Sequence, residues 1–528
     1  MKRRDWQSVA GVLTLAIAAT APAAELYVDA SNTAGPQQGT QAAPFRTVQA
    51  AINAAVDGDE VLVAAGTYVE NLRIQSKSLL LKGGFSSAWV RELNDTKSVL
   101  QGAGGNAVLT LIESDSTVEG FRITGGTGST EDLPYVYNGG GIYSRDGSPT
   151  ISNNIIENND IRSIDPPSDY ALGGGIYITN ATNATITGNI VRRNFAGRGA
   201  GISVDGQTAR IQGNTIEDNV AVGDHGGGMF IAVVRATITH NLIRRNEVGR
   251  ALEYGWGGGL IFFGAGNSAE IAFNVLTANF AAAYGSAEFI DEGASASIHH
   301  ELIYGNLSKD GCEAVSAIAV DGGDGVGSRA TISQCTVVNN VCPDATRGNG
   351  LQVEGDSVVS VVNSIFWNNG GDDFAVFDTS RLTITYTCSQ EPIAGAGNLS
   401  ADPRFVNPAA NDFRLATGSP CIDAGDPTSP FDDEPEDNGG RADMGRFGNA
   451  GDNGSPGSPI DGGSGDFTGV GGGLGNGAGG SQGGVHDPQE AFVPSAALCP
   501  SAGAMMLMLP LIGARRTPRR SAAATSAR

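Results

Sequence analysis

Asp224 and His225 are adjacent, and Glu253 follows one structural unit later. Two carboxylates held about 5 to 10 Å apart can cleave a glycosidic bond, one as general acid and the other as nucleophile or base. An imidazole beside them can carry the same proton. Around this group the sequence places Tyr135, Tyr137, Asp169, Tyr170, Tyr254, Trp256 and Tyr284. Aromatic rings stack on sugar C–H faces and carboxylates accept hydroxyl hydrogen bonds, a combination suited to a neutral glycan. The plain alternative is that these are solvated loop residues and locally packed tyrosines. A β-elimination lyase would want a Lys or Arg base beside a group that neutralises a uronate, and Lys309 is the only loop lysine.

A second acidic group, Asp426, Asp432, Asp433, Glu434, Glu436 and Asp437, lies in a Pro/Gly-rich stretch and suits Ca2+ by ligand type, although EF-hand spacing is absent. A solvated acidic loop is the alternative. The five histidines show no His-x-x-His pairing.

Positioning these side chains requires elements, and the elements repeat. Asn154, Asn189, Asn214, Asn241, Asn274, Glu301, Cys335 and Asn363 align, and five residues later each row has Asn: 159, 194, 219, 246, 279, 306, 340 and 368. Three residues before the first position stand Ile151, Ile186, Ile211, Ile238, Ile271, Ile298 and Ile332, with Ser360 as the exception. The period of about 30 residues is that of a solenoid. Apolar residues alternate in short β-branched runs bounded by Gly or Asn, which predicts strands rather than helices. Stacked short strands make an all-β parallel β-helix, here of about 10 to 12 coils, in which equivalent residues form files along the axis. The asparagines are expected at sharp left-handed corners with their amides laddered between coils, and the Gly-Gly pairs where no β-carbon fits.

The chain resembles bacterial right-handed parallel β-helix repeat proteins over residues 25 to 450. Pro44 to Ile52, Gly58 to Val61 and Gly66 to Glu70 resemble the start of many of them, which implies an N-terminal capping helix on the coil stack within residues 25–60 and coils over 61–400. Residues 402–427 and 434–449 resemble the closing segment that precedes a surface anchor in this family, here placed at 401–450. The fold hosts lyases, hydrolases, esterases, epimerases and non-catalytic adhesins.

Insertions after Asn159, Asn246 and Asn306 all fall at one corner of the repeat, so they are expected along one edge of the stack, which is often the binding face of a solenoid. Cys312 and Cys342 follow corners of successive coils and are expected to bridge adjacent loops. Cys388 and Cys421 are expected to pin the closing segment to the last coil.

Lys2, Arg3 and Arg4, the apolar run from Val9 to Ala19 and small residues to Ala24 predict a cleaved signal over 1–23. A Gly-rich linker over 451–492 leads to residues 493–528, where Pro494, an apolar stretch and an arginine cluster resemble PEP-CTERM sorting segments; a permanent membrane anchor is the alternative. Both place the protein at the cell surface or outer envelope. The net charge is −23, and removing both basic ends leaves about −30, a field that repels nucleic acid. The sequence therefore predicts an exported, monomeric β-helix that binds extracellular polysaccharide without a recognisable catalytic set. The alternative is a polysaccharide lyase or glycoside hydrolase in which Asp224, His225 and Glu253 act.

Overall fold

The computed structural model describes residues 23–33, 35–93, 97–131, 137–162, 171–252, 254–309, 316–323, 325–341, 350–432, 434 and 439–448. The expected signal, linker and sorting segment lie outside them.

Each rung opens with a short strand, bends, and continues through a second and a third, as in Ile142–Arg145, Thr150–Ser152 and Ile155–Glu157. In three rungs the first two merge into one long strand: Ile176–Thr187, Ile202–Gln212 and Met229–Thr239. Equivalent strands pair in parallel, giving a 21-stranded sheet from the first and second strands, a 12-stranded sheet from the third, and a five-stranded sheet where a rung adds a fourth. The architecture is a right-handed parallel β-helix. At its N-terminal end the helix Val48–Ala54 starts where Thr47 Oγ1 accepts the Ala50 amide, and it buries Val48, Ala51 and Ile52 in the common core.

Inside the coil, Ile151, Ile186, Ile211, Ile238, Ile271, Ile298, Ile332 and Val361 form one continuous file. None exposes more than 1% of its surface. Two parallel asparagine ladders flank it. Asn189 accepts from the Asn154 amide nitrogen at 3.1 Å and backbone N–H at 3.0 Å, and donates to Asn214 at 3.0 Å and to the Ile151 carbonyl at 2.8 Å. The second ladder runs unbroken from Asn159 to Asn369 with side-chain links of 2.9 to 3.0 Å. Each interior amide thereby satisfies two donor and two acceptor valences without water, which a buried amide requires.

Two sequence expectations change. The left-handed conformation belongs to the residue before each ladder position, among them Gly188, Gly213, His240, Phe273, Arg245 and Ala278, so asparagine serves hydrogen bonding and its neighbour absorbs the bend. In the last repeat the ladder residues are Ser364 and Asn369, because Cys335 and Asn340 bond to these two. Asn363 and Asn368 are the left-handed residues before them. Shifting the row by one residue puts Val361 in the core and Ser360 outside, so the apparent exception disappears.

Two core positions carry carboxyl groups. Glu288 takes a place held by Leu260 and Ile318 on the neighbouring rungs, and Glu301 takes an asparagine place in the first ladder. Both are fully buried. Both Glu288 oxygens and Glu301 Oε2 lack a donor, and the two side chains are in hydrogen-bond contact. A proton on Glu288 resolves this, donating to Glu301. Arg446 of the closing segment, itself 1% exposed, balances the remaining charge and donates from Nη1 to the Asn274 carbonyl at 2.8 Å.

The closing segment lies across the last rungs. Its strands Phe405–Asn407 and Asp412–Leu415 pair antiparallel, and Gly448 O accepts from Gln334 at 2.6 Å. Cys388 and Cys421 are not joined. They are free, buried thiols in hydrogen-bond contact within a cluster that includes Ile365 and Met444. Cys312 and Cys342 lie outside the described residues.

Asn219→Ala should remove two side-chain links of the second ladder, leaving the Asn194 backbone N–H and one Asn194 amide hydrogen without an acceptor, while Asn246 Oδ1 keeps only the backbone N–H of residue 219. The expected loss is on the order of 3 kcal/mol in urea unfolding. Burial raises the pKa of Glu288 and Asp291 well above the usual range and that of Glu354 to about 7. The folded state therefore holds these protons more tightly than the unfolded chain, so their stabilisation is complete below about pH 4 and is lost as pH rises through the folded values. The melting temperature should fall between pH 5 and pH 8, and Glu288→Leu should flatten that slope.

Candidate functional site

The expected catalytic and sugar-binding residues separate into two environments. Arg198, His225, Trp256 and Tyr284 each precede a glycine with φ between 55° and 70°. At Gly257 the chain doubles back so tightly that a β-carbon would stand 2.9 Å from the Ile261 β-carbon. The residue before each glycine is thereby set at the edge of the outer face of the first strands. Trp256 and Tyr284 pack there with Phe230, Ile261, Phe263 and Phe289. Tyr254 stacks on Trp256 at 5.6 Å, and His225 lies 5.0 Å from the Trp256 ring. Tyr137 instead packs with Ile161, Ala171 and Ala196 on another part of the coil. Tyr135, Asp169, Tyr170 and Glu253 lie outside the described residues.

Asp224 is engaged by Arg198 in a two-pronged ion pair, at 2.5 and 2.8 Å. His225 Nδ1 lies 2.7 Å from the same carboxylate. Burial opposes ionisation of Asp224, but His225 and Arg198 together hold it well below the usual carboxylate range. Burial lowers the His225 pKa more than Asp224 raises it, so the ring is neutral at neutral pH. Asp224 and His225 form a braced pair on the rung beside the aromatic cluster.

On the same outer face, beginning on the rung that Tyr284 opens, lies a group that the repeat signature does not reveal. Phe263 is opposite Asp291. Ile290, Val320 and Val353 are in register, so the residues after them, Asp291, Asp321 and Glu354, follow in one file on successive rungs. Such positions are about 4.8 Å apart. Asp291 is 7% exposed and its Oδ1 accepts the Glu292 amide. Burial, then the nearby Asp321, push its pKa well up. Burial, then Asp321, push Glu354 up to about 7 even though Gln352 and Tyr284 hydrogen-bond to it. Gln352 is 1% exposed, and its Oε1 and Glu354 Oε1 have no donor.

Like charges opposite one another on neighbouring strands are destabilising. On the outer face of the 12-stranded sheet the equivalent file alternates sign, with Glu157–Arg192 at 2.7 Å, Arg192–Glu217 at 3.9 Å and Glu217–Arg244 at 2.8 Å. The file Asp291, Asp321, Glu354 stacks three acids in a row. Its sequence signal was weak, because each acid is followed within two residues by Gly and so reads as an acidic turn; aligning the inward residues of the first strands would have exposed it.

Among the described residues, no group of three or more His, Cys, Asp or Glu is arranged to hold a metal ion. Of the residues expected to bind calcium, Asp426 Oδ1 accepts the Thr428 amide and hydroxyl, and Glu434 accepts the Asp443 amide. Asp432 is at the surface, while Asp433 and Asp437 lie outside the described residues.

Residues 94–276 match the family described as right handed beta helix region. No curated protein matches the chain. Among solved structures, the chain is similar to pectate lyase Pel9A, with 13% identity, a TM-score of 0.39 and coverage of 80% of this chain and 96% of that one. It is also similar to XylC in complex with xylose, with 12% identity, a TM-score of 0.40 and coverage of 72% and 87%. The family match and the strand register agree on one architecture, the right-handed parallel β-helix.

Proposed function

We propose that this protein is an exported, cell-surface β-helix that binds a neutral extracellular polysaccharide along the outer face of its first strands. The supporting observation is the juxtaposition on one continuous face of Tyr254 stacked on Trp256, Tyr284 stacked near Phe289, and the carboxyl file of Asp291, Asp321 and Glu354. Rings offer apolar platforms to sugar faces and carboxyls accept sugar hydroxyls. Successive rungs repeat the surface at about 4.8 Å, on the scale of a single sugar ring, so a linear chain can track the solenoid axis. The Arg198–Asp224 pair and His225 flank this platform on the rungs before Trp256. A net charge of −23 argues against a polyanionic partner such as a polyuronate.

Affinity electrophoresis through gels containing neutral polysaccharides tests the reading. At least one neutral glycan should retard the protein, and Trp256→Ala should weaken that retardation roughly threefold to tenfold, the worth of one aromatic contact. Retention should be insensitive to salt between low and moderate ionic strength, because no charge pairing with the glycan is involved. Retardation only by acidic glycans, or loss of binding as salt is added, would contradict it.

A further inference from the structure

We infer that residues 445–448 of the closing segment are a proton-controlled clasp on the coil, held at neutral pH by His300 and Glu301 and released in mild acid when His299 and His300 both take up protons. The clasp lies at the corner between the second and third strands, where Ser295–His299 turns into Leu302–Tyr304. It is independent of the glycan-binding reading above.

Hydrogen bonds to successive rungs seat this segment. The Gly445 amide donates to the Asn363 carbonyl at 2.7 Å, the Arg446 amide to Thr336 Oγ1 at 3.0 Å, and Arg446 Nη1 to the Asn274 carbonyl at 2.8 Å. The Gly448 carbonyl then accepts from His300 Nε2 at 3.0 Å and from Gln334 Nε2 at 2.6 Å. A carbonyl only accepts, so His300 Nε2 carries a proton, and in the neutral ring its Nδ1 is an acceptor. That nitrogen lies 3.0 Å from His299 Nδ1, which must therefore donate. One proton fits between the two rings; two do not.

The first proton gained is accommodated at His299 Nε2, which faces Glu270 Oε1 on the preceding rung at 3.6 Å. A second would sit on His300 Nδ1, against the His299 N–H, and would make two adjacent cations. The other neighbours offer no relief. Phe273 stacks on His300 at 4.7 Å and on His240 at 5.1 Å, and Arg446 brings a further cation from the closing segment. Behind that segment Asp443 accepts the Asp423 amide and Asp423 accepts the Gly440 amide. Glu301 is the remaining acid beside His300. Burial raises its pKa to about 7, and Arg446 opposes that rise. By linkage, a proton on Glu301 weakens its hold on Arg446.

Free histidines each gain a proton near about pH 6.5, whereas burial lowers the His299 pKa more than Glu270 raises it. The docked pair therefore binds fewer protons than the released pair. Its contribution to docking is complete above about pH 6.5 and is lost as pH falls. Glu301 acts in the same direction, because releasing Arg446 raises its affinity for a proton. This opening is local and distinct from unfolding of the coil, where Glu288, Asp291 and Glu354 hold their protons more tightly in the folded state. The clasp opens in the acid range in which the coil itself is firmest.

Hydrogen–deuterium exchange of the whole protein tests the clasp, compared at about pH 7.5 and about pH 5 and normalised to the unfolded exchange rate at each pH. The amides of Gly445, Arg446 and Gly448 should lose about tenfold or more of their protection in acid, while those of Leu302–Tyr304 keep theirs. In His299→Gln the side-chain oxygen can accept from a protonated His300, so the acid loss should shrink to less than about threefold. His300→Asn keeps a residue suited to the left-handed φ of 54° but removes the Nε2 donor, and it should lower protection at neutral pH already. Equal protection at the two pH values, loss spread evenly over the coil, or full acid release in a folded His299→Gln protein would overturn the proposal. If that variant does not fold, NMR titration of the wild-type histidines decides. Uptake of the second proton together with loss of protection supports the clasp, and uptake with residues 445–448 still protected overturns it.

Discussion

The structure depends on register between rungs. A parallel stack pairs each strand with the equivalent strand before and after it, so one residue's displacement would turn every side chain of that rung to the opposite face. The asparagine ladders hold this register. Each amide bonds the rung on either side through both its oxygen and its nitrogen, as Asn219 does between Asn194 and Asn246. Their geometry is satisfied only when the rungs stand level, so the ladders act as alignment marks buried at the corners. Both the aromatic platform and the carboxyl file are consequences, because each is a column of residues that only this alignment brings together.

The same constraint explains what the interior tolerates. Glu301 replaces an asparagine because its Oε1 can take the acceptor role toward Asn274, but a carboxyl has no amide donor to pass on. The first ladder ends there, and the next rung places Cys335 at that position with its thiol toward the Ile298 and Ser333 carbonyls. The displaced charge is met by Glu288, which can hold a proton, and by Arg446, which arrives from a segment more than a hundred residues away in sequence. Closure of the C-terminal end is therefore tied electrostatically to the middle of the coil. Removing only one member of such a buried group leaves an uncompensated charge, which is more damaging than replacing the group with apolar side chains.

Much of this architecture was legible because a solenoid writes its three-dimensional neighbours as a period in one dimension. The isoleucine file, the two ladders and the tight Gly-Gly approaches all follow from that period; a β-carbon on Gly201, for example, would meet the Gly228 carbonyl at 2.6 Å. The last row misled because Asn363 and Asn368 imitate the five-residue spacing while filling the left-handed positions, and only the inward Val361 reveals the offset. The aromatic part of the site was legible in Tyr254, Trp256 and Tyr284, which precede glycine openings at a recognisable corner. Tyr137 shares their residue type but not their place, and it packs against Ile161, Ala171 and Ala196. Asp291, Asp321 and Glu354 were hidden because their relation is across rungs at strand ends, where no recurrent residue marks the position. Asp224 and His225 looked reactive in isolation; Arg198, on the preceding rung, makes them a braced pair.

The central claim is that a neutral glycan lies along the outer face of the first strands. A crystal structure of the protein soaked with a retained neutral oligosaccharide tests this most directly. The account predicts a sugar ring against Trp256 and Tyr254. An oligosaccharide seated on the charged outer face of the 12-stranded sheet would contradict it.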